Sequence, residues 1–236
     1  MHWWNKKSYR WALFGSLLSV IGPLGEYIFL TVAKQENFSQ LWLTYLYTEI
    51  LTLISFTLFG YILGRKAELI EYHSLHDHLT GLYNRGYLMN LFKDNISLHL
   101  RYSQAFSAIM LDLDYFKQVN DQHGHLVGDK TLMATAHCIK QTIRSSDIAG
   151  RYGGEEFIIL CPNTESSDAL HLAERIRKNV ASLSEDDIGF QGVQTASFGV
   201  LTLTPKMDAK LNVILKKLDD ALYQAKHLGR NQVRCA

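Results

Sequence analysis

With 236 residues the chain has room for one globular domain of ordinary size and a smaller element beside it. Its formal net charge is +1 at pH 7, which leaves no basic field over the chain and excludes a protein that coats nucleic acid. Cys138, Cys161 and Cys235 are far apart and odd in number, so neither a zinc site nor a disulfide framework is expected, only reduced thiols.

Residues 1–10 form a short basic segment, followed by two apolar runs: Trp11 to Ala33, interrupted by Glu26, and Leu41 to Gly64, interrupted by Glu49. A helix rises about 1.5 Å per residue, so roughly twenty residues cross a hydrocarbon core about 30 Å thick, and each run is long enough. Trp3, Trp4, Trp11 and Tyr61 fall near one membrane border, and Trp42 and Tyr45 near the other. Lys6, Lys7 and Arg10 precede the first run and Arg65 and Lys66 follow the second, whereas Lys34 to Gln40 between them holds a single lysine. This distribution predicts a two-pass hairpin in lipid, residues 11–64, with both termini cytoplasmic. The first run is too long, and lacks a small-residue cleavage site, for a removed signal peptide. In such a hairpin Glu26 and Glu49 fall at similar depth, where a shared proton or a polar dimer contact stands beside local water or a shorter span as an explanation.

Residues 65–76 are mixed and charged and are expected to continue the second helix as a stalk. From Asp77 strands alternate with helices. Ala105 to Leu111 and Phe157 to Leu160 form apolar strands, with a further strand near Gln194 to Leu203. Helical stripes run through Leu132, Ala136, Ile139 and Ile143, through Ala169, Leu172, Ala173, Ile176 and Val180, and through Leu211, Ile214, Leu215, Leu218, Leu222 and Ala225. Stripes at this spacing are core positions.

Two acidic sites carry the chemistry. Arg151-Tyr152-Gly153-Gly154-Glu155-Glu156-Phe157 leads directly into a strand, and bare backbone at Gly153 and Gly154 lets a ligand approach beside acids able to hold a cation. An ordinary hairpin turn with solvated carboxylates explains that stretch equally well when it is taken alone. The strand Ala105 to Leu111 runs into Asp112-Leu113-Asp114, which puts two carboxylates on one face at the strand's end, a set suited to magnesium with phosphate and water completing its shell. Gly124 to Thr131 approaches a phosphate-binding P-loop, but Asp129 stands where that loop needs glycine, so a P-loop NTPase is excluded. Asp129 also suits an N-cap of a helix beginning at Lys130. Lys226 and Arg230 are four residues apart and on one helix would share a face.

Together these stretches resemble the GGDEF family of diguanylate cyclases, here with Gly-Gly-Glu-Glu-Phe. Further similarities are Asp77-His78-Leu79-Thr80-Gly81-Leu82-Tyr83-Asn84-Arg85, Asp112-Leu113-Asp114-Tyr115-Phe116-Lys117, Asn120-Asp121 through Gly124-His125 to Gly128-Asp129, and a closing helix with Asp219, Tyr223, Lys226, Gly229, Arg230 and Asn231. Gly86 departs from the second arginine common after Asn84-Arg85, at a position without a usual catalytic role.

The resemblance implies an α+β domain over residues 77–236, similar to the polymerase palm and adenylyl cyclases, with a mainly antiparallel sheet and flanking helices. It implies condensation of two GTP into cyclic di-GMP by a homodimer at the bacterial inner membrane, in contact with membrane lipid. Asp112, the Leu113 carbonyl, Glu155 and Glu156 would hold Mg2+, with Mn2+ an alternative. Glu155 would serve as general base with Glu156 assisting. Lys117, Lys226 and Arg230 would face the phosphates. Asn120, His125, Asp129, Gly153 and Gly154 would line the substrate site, with Asn120 and Asp129 reading guanine. Arg144, Asp147 and Arg175 would form a product-inhibition site, Arg175 joining from a facing domain.

Overall fold

The computed structural model describes residues 7–19, 24, 31, 38–204 and 209–236, with side chains of the second helix described from residue 46 onward. The chain divides into two units, Met1–Ser74 and Leu75–Ala236.

In the first unit, α1 spans Lys7–Ser19 and α2 spans Phe38–Leu75. The second apolar run and the charged stretch after it are thus one helix of 38 residues, about 57 Å long at 1.5 Å per residue. Among the described residues, Leu46–Leu75 is the one helix long and apolar enough to cross a membrane. Glu49 is exposed on it, and Glu26, its partner in the expected hairpin, lies outside the described residues, as do Trp3, Trp4, Lys6 and Lys34.

The second unit carries a five-stranded sheet in the order β2-β3-β1-β4-β5, from β1 (Phe106–Leu113), β2 (Ile148–Arg151), β3 (Glu156–Pro162), β4 (Ala196–Thr202) and β5 (Val233–Cys235). Neighbours pair antiparallel except β4 with β5, so the mainly antiparallel sheet holds. The helices are α3 (Arg85–Tyr102), α4 (Phe116–His123), α5 (His125–Thr142), α6 (Ser166–Ala181), α7 (Glu185–Ile188) and α8 (Leu211–His227).

Every residue of β1 is buried, as expected of a central strand covered on both faces. Because strand side chains alternate, Ile109, Leu111 and Leu113 join one core with Leu132, Ile139, Leu172 and Ile176 of α5 and α6. Phe106, Ala108 and Met110 join the other with Leu88 and Phe92 of α3 and Leu218 and Leu222 of α8. Each apolar stripe finds its place in one of these layers. Cys138 and Cys161 are buried and Cys235 is exposed, all three as free thiols.

Sequence spacing misplaced two details. Asp129 is not a helix cap: α5 begins at His125 after Gly124, whose φ of 82° ends α4, and Asp129 lies within the first turns. Lys226 and Arg230 do not share a helix face. α8 stops at His227, Gly229 takes φ 115° and Arg230 φ 62°, and the Arg230 amide donates back to the Ala225 carbonyl at 3.0 Å. The chain has reversed before Arg230 projects.

Candidate active site

The period of two places Asp112 on the face of β1 that looks toward α8, and the register places Glu156 of β3 directly opposite it. From α8, Lys226 Nζ reaches Asp112 Oδ2 at 2.8 Å. Glu155 lies one residue before β3, half-buried like Glu156. Burial raises the pKa of Asp112 despite the hydrogen bond and charge of Lys226, which oppose it. Burial, then the charge of Asp112, raises Glu155 and Glu156 as well. Three carboxylates thus crowd the end of two central strands with the Lys226 ammonium among them.

Among the described residues no three His, Cys, Asp or Glu side chains converge closely enough to form a ready metal cage. The donor chemistry nonetheless fits a divalent cation. Burial and the neighbouring carboxylates penalise the charges of all three acids and raise their pKa values, and Lys226 already supplies Asp112 with positive charge at ion-pair distance. An open, partly hydrated carboxylate site is the kind magnesium takes, with phosphate oxygens completing the shell.

Asp114, the second acid of the strand end, serves a different purpose. Its Oδ1 accepts from Ser197 Oγ at 2.7 Å, and its Oδ2 from Thr195 Oγ1 at 2.7 Å and from the Asn231 amide at 3.0 Å. It fastens β1 to β4 and to the turn after α8, and its lone pairs are committed there.

The two glycines also differ. A Cβ on Gly153 would overlap Glu156 Oε2, so this glycine makes room for the chain's own carboxylate, whereas Gly154 is exposed with nothing within 4 Å of such a Cβ. Only Gly154 offers open backbone of the kind expected at both. The turn is held by Arg151, whose Nε and Nη2 donate to the Gly154 carbonyl at 3.1 and 2.7 Å while Nη1 pairs with Asp77 Oδ1 at 3.2 Å. Burial raises the Asp77 pKa, but hydrogen bonds from Thr80 and the Arg151 guanidinium outweigh burial and hold the carboxyl below its usual range. Sequence reasoning missed this clamp, because an arginine at a strand end gives no sign of a partner 74 positions away.

The guanine-reading candidates come together across the α4–α5 corner. A Cβ on Gly128 would collide with Asn120 Oδ1, so the Asn120 amide packs directly on the glycine one residue before half-buried Asp129. His125 and Lys117 are exposed nearby in sequence, on the first turns of α5 and α4. Arg144, Asp147 and Arg175 line one cavity of about 90 Å³, with Asp168 and His171. Asp147 Oδ2 accepts from the Arg144 amide at 2.9 Å, and Arg175 Nη2 donates to the Thr142 carbonyl at 2.8 Å. Arg175 therefore lines this cavity within its own chain.

The family described as "Diguanylate cyclase, GGDEF domain" matches residues 74–232. The chain belongs to the GGDEF domain family. It is 36% identical over 172 residues to diguanylate cyclase DgcM of Escherichia coli (strain K12), covering 73% of this chain and 41% of that protein. It is 38% identical over 167 residues to response regulator PleD of Caulobacter vibrioides (strain NA1000 / CB15N), covering 68% and 37%. The chain thus spans about two-fifths of the length of these curated relatives. Among solved structures, the active GGEEF domain of a diguanylate cyclase from Vibrio cholerae is similar at TM-score 0.60 and 36% identity, covering 64% of this chain and 96% of that one. Diguanylate cyclase SiaD in complex with its activator SiaC, from Pseudomonas aeruginosa, is similar at 0.66 and 32%, covering 93% and 84%. In this GGDEF domain the signature reads Gly153-Gly154-Glu155-Glu156-Phe157, and Phe157 is fully buried beneath it.

Proposed function

We propose that the chain is a diguanylate cyclase that joins two GTP into cyclic di-GMP and releases two pyrophosphates. The observation that carries this reading is the packing of Asp112, Glu155 and Glu156 at the ends of β1 and β3 with Lys226 on Asp112, in a domain whose curated relatives include named diguanylate cyclases. Asp112, the Leu113 carbonyl, Glu155 and Glu156 would hold Mg2+, or Mn2+ in its place. Bound there, a divalent cation supplies neutralisation of phosphate charge and stabilisation of the departing pyrophosphate. Glu155, its pKa raised, accepts the proton of the 3′ hydroxyl of one GTP. The oxygen so freed attacks the α-phosphorus of the other GTP, and the bond from that phosphorus to the bridging oxygen breaks. Lys226 and Arg230 meet the triphosphate, with Lys117 at the edge of the site, and Asn120 and Asp129 select guanine by accepting from its N1 and N2 donors. His125 and the open backbone at Gly154 complete the substrate site.

One domain binds one GTP, so the active form is a homodimer with two domains facing each other. Alignment of two bound substrates then contributes much of the rate. Product returning to Arg144, Asp147 and Arg175 inhibits the enzyme. α1 and α2 hold the chain in the inner membrane with both termini cytoplasmic. Their close packing supports that reading: a Cβ on Gly15 would meet the Phe56 carbonyl, one on Gly60 the Trp11 carbonyl, and one on Gly64 the Ser8 backbone. Gly60-Tyr-Ile-Leu-Gly64 is the small-residue spacing that lets helices approach closely in lipid. At the same end, Lys7 pairs with Glu71 and the Ser8 amide donates to Glu68 at 2.8 Å.

The test is to incubate the full chain in detergent with GTP and magnesium beside Glu155→Ala, and to detect cyclic di-GMP by mass spectrometry. Product from the wild type alone is expected. No product from a folded, GTP-binding dimer would instead favour a receptor that binds nucleotide without turning it over.

A further inference from the structure

Tyr115, three residues after Asp112, is exposed over 54% of its surface, and its backbone lies in the left-handed region, at φ 57° and ψ 22°. Such a conformation is unfavourable for a bulky side chain and persists only where surrounding contacts impose it. Arg230 and Asn231 also have positive φ, 62° and 44°. The same carboxylate ties these strained points together, since Asp114 immediately precedes Tyr115 and its Oδ2 accepts from the Asn231 amide at 3.0 Å. Arg177 Nη1 holds Asn231 Oδ1 at 2.6 Å from the other side. Where the two strained segments meet, the Arg230 guanidinium lies over the Tyr115 ring, its carbon 4.4 Å from the ring centre, and Nη1 donates to the Tyr115 hydroxyl at 3.2 Å.

We propose that Tyr115 is a positioning residue that holds Arg230 ready for the GTP triphosphate. This rests on the reading of Arg230 as a phosphate ligand. The chemistry of the contact favours it over a simple packing role. A carboxylate partner would occupy the guanidinium edge and compete with phosphate, whereas an aromatic ring takes the flat face. Arginine has five N–H donors, and the stack with its one hydrogen bond leaves the others free. A long side chain that would otherwise lose rotamer freedom on meeting substrate is ordered beforehand, which moves part of that cost out of the binding step.

The test measures GTP and GMP affinity by equilibrium binding to the full chain, together with KM and kcat, for Tyr115→Asn, Tyr115→Phe and Arg230→Ala. Asparagine tolerates the left-handed backbone, so Tyr115→Asn removes the ring without imposing new strain. From the strength of an exposed cation–π contact, Tyr115→Asn is expected to weaken GTP binding about two- to fivefold. GMP affinity should be unchanged, because GMP lacks the outer phosphates, and Tyr115→Phe should stay closer to wild type. In the Arg230→Ala background, Tyr115→Asn should add nothing further. Equal loss of GTP and GMP affinity in Tyr115→Asn, or an additive loss in the double variant, would overturn the proposal in favour of a structural role. If Arg230→Ala itself leaves GTP affinity intact, the phosphate-ligand reading fails first and the proposal falls with it.

Discussion

The proposed role of Asn120 in reading guanine depends on position 128 having no side chain. A methyl group on Gly128 would overlap Asn120 Oδ1 and crowd the Phe116 ring, although alanine suits the helix itself better than glycine. Gly128→Ala should therefore keep the domain folded and raise KM for GTP about tenfold, the order of one lost hydrogen bond to a polar ligand, with steady-state kinetics as the measurement. An unchanged KM would remove Asn120 from guanine recognition. Glu155 makes a second prediction, about stability. Its folded pKa is raised above the ordinary 4.5 by burial first and by Asp112 next, so between those values the folded chain binds more protons than the unfolded chain. Stability from this group is therefore lost as pH rises through the window and stays lost above it. Without divalent cation, Glu155→Gln should melt a few degrees above wild type at pH 7, with the difference closing as pH approaches 4.5. A lower melting temperature for the variant would show that the carboxylate is not held against its own repulsion. At this scale the sequence displayed the acids and glycines but not their division of labour. Nothing in Asp112-Leu113-Asp114 says that the first acid faces Lys226 while the second is consumed by Thr195, Ser197 and Asn231, because those partners are remote in sequence.

The strands and long helices were legible because burial imposes periodicity, as in the apolar run that became β1 and in the stripes of α5, α6 and α8. Element ends were less so. α8 ends three residues before Arg230 because Gly229 opens a left-handed turn, and its closing hydrogen bonds belong to tertiary structure. The hairpin joining β2 to β3 carries Glu155, the proposed general base. It is pinned by one arginine that forks between the Gly154 carbonyl and Asp77. A lysine keeps the charge but cannot span both acceptors in a fixed plane. Arg151→Lys should lower kcat about tenfold, the order of one charge-assisted hydrogen bond, with GTP affinity less affected. If KM rises and kcat does not, the clamp shapes the nucleotide pocket and not the catalytic turn.

For the whole molecule, the question is what two units on one chain accomplish together. Leu75 is both the last residue of the long helix and the first of the second unit, so the apolar helix continues directly into the GGDEF domain. If reaction needs two domains, each holding one GTP, a fragment beginning at Leu75 should fold, since solved structures of isolated GGDEF domains superpose on this region. Its rate per molecule should climb with concentration as pairs form. The full chain in vesicles should behave differently. If α1 and α2 insert in the bilayer as proposed, confinement there raises the effective concentration of partners, so dilution of the vesicles should leave the rate per molecule unchanged. Measuring cyclic di-GMP against protein concentration for both forms decides between the alternatives. A fragment whose specific rate is flat from nanomolar to micromolar concentrations would mean that one domain suffices, and the reading of the helix pair as a device that brings domains together would have to be given up.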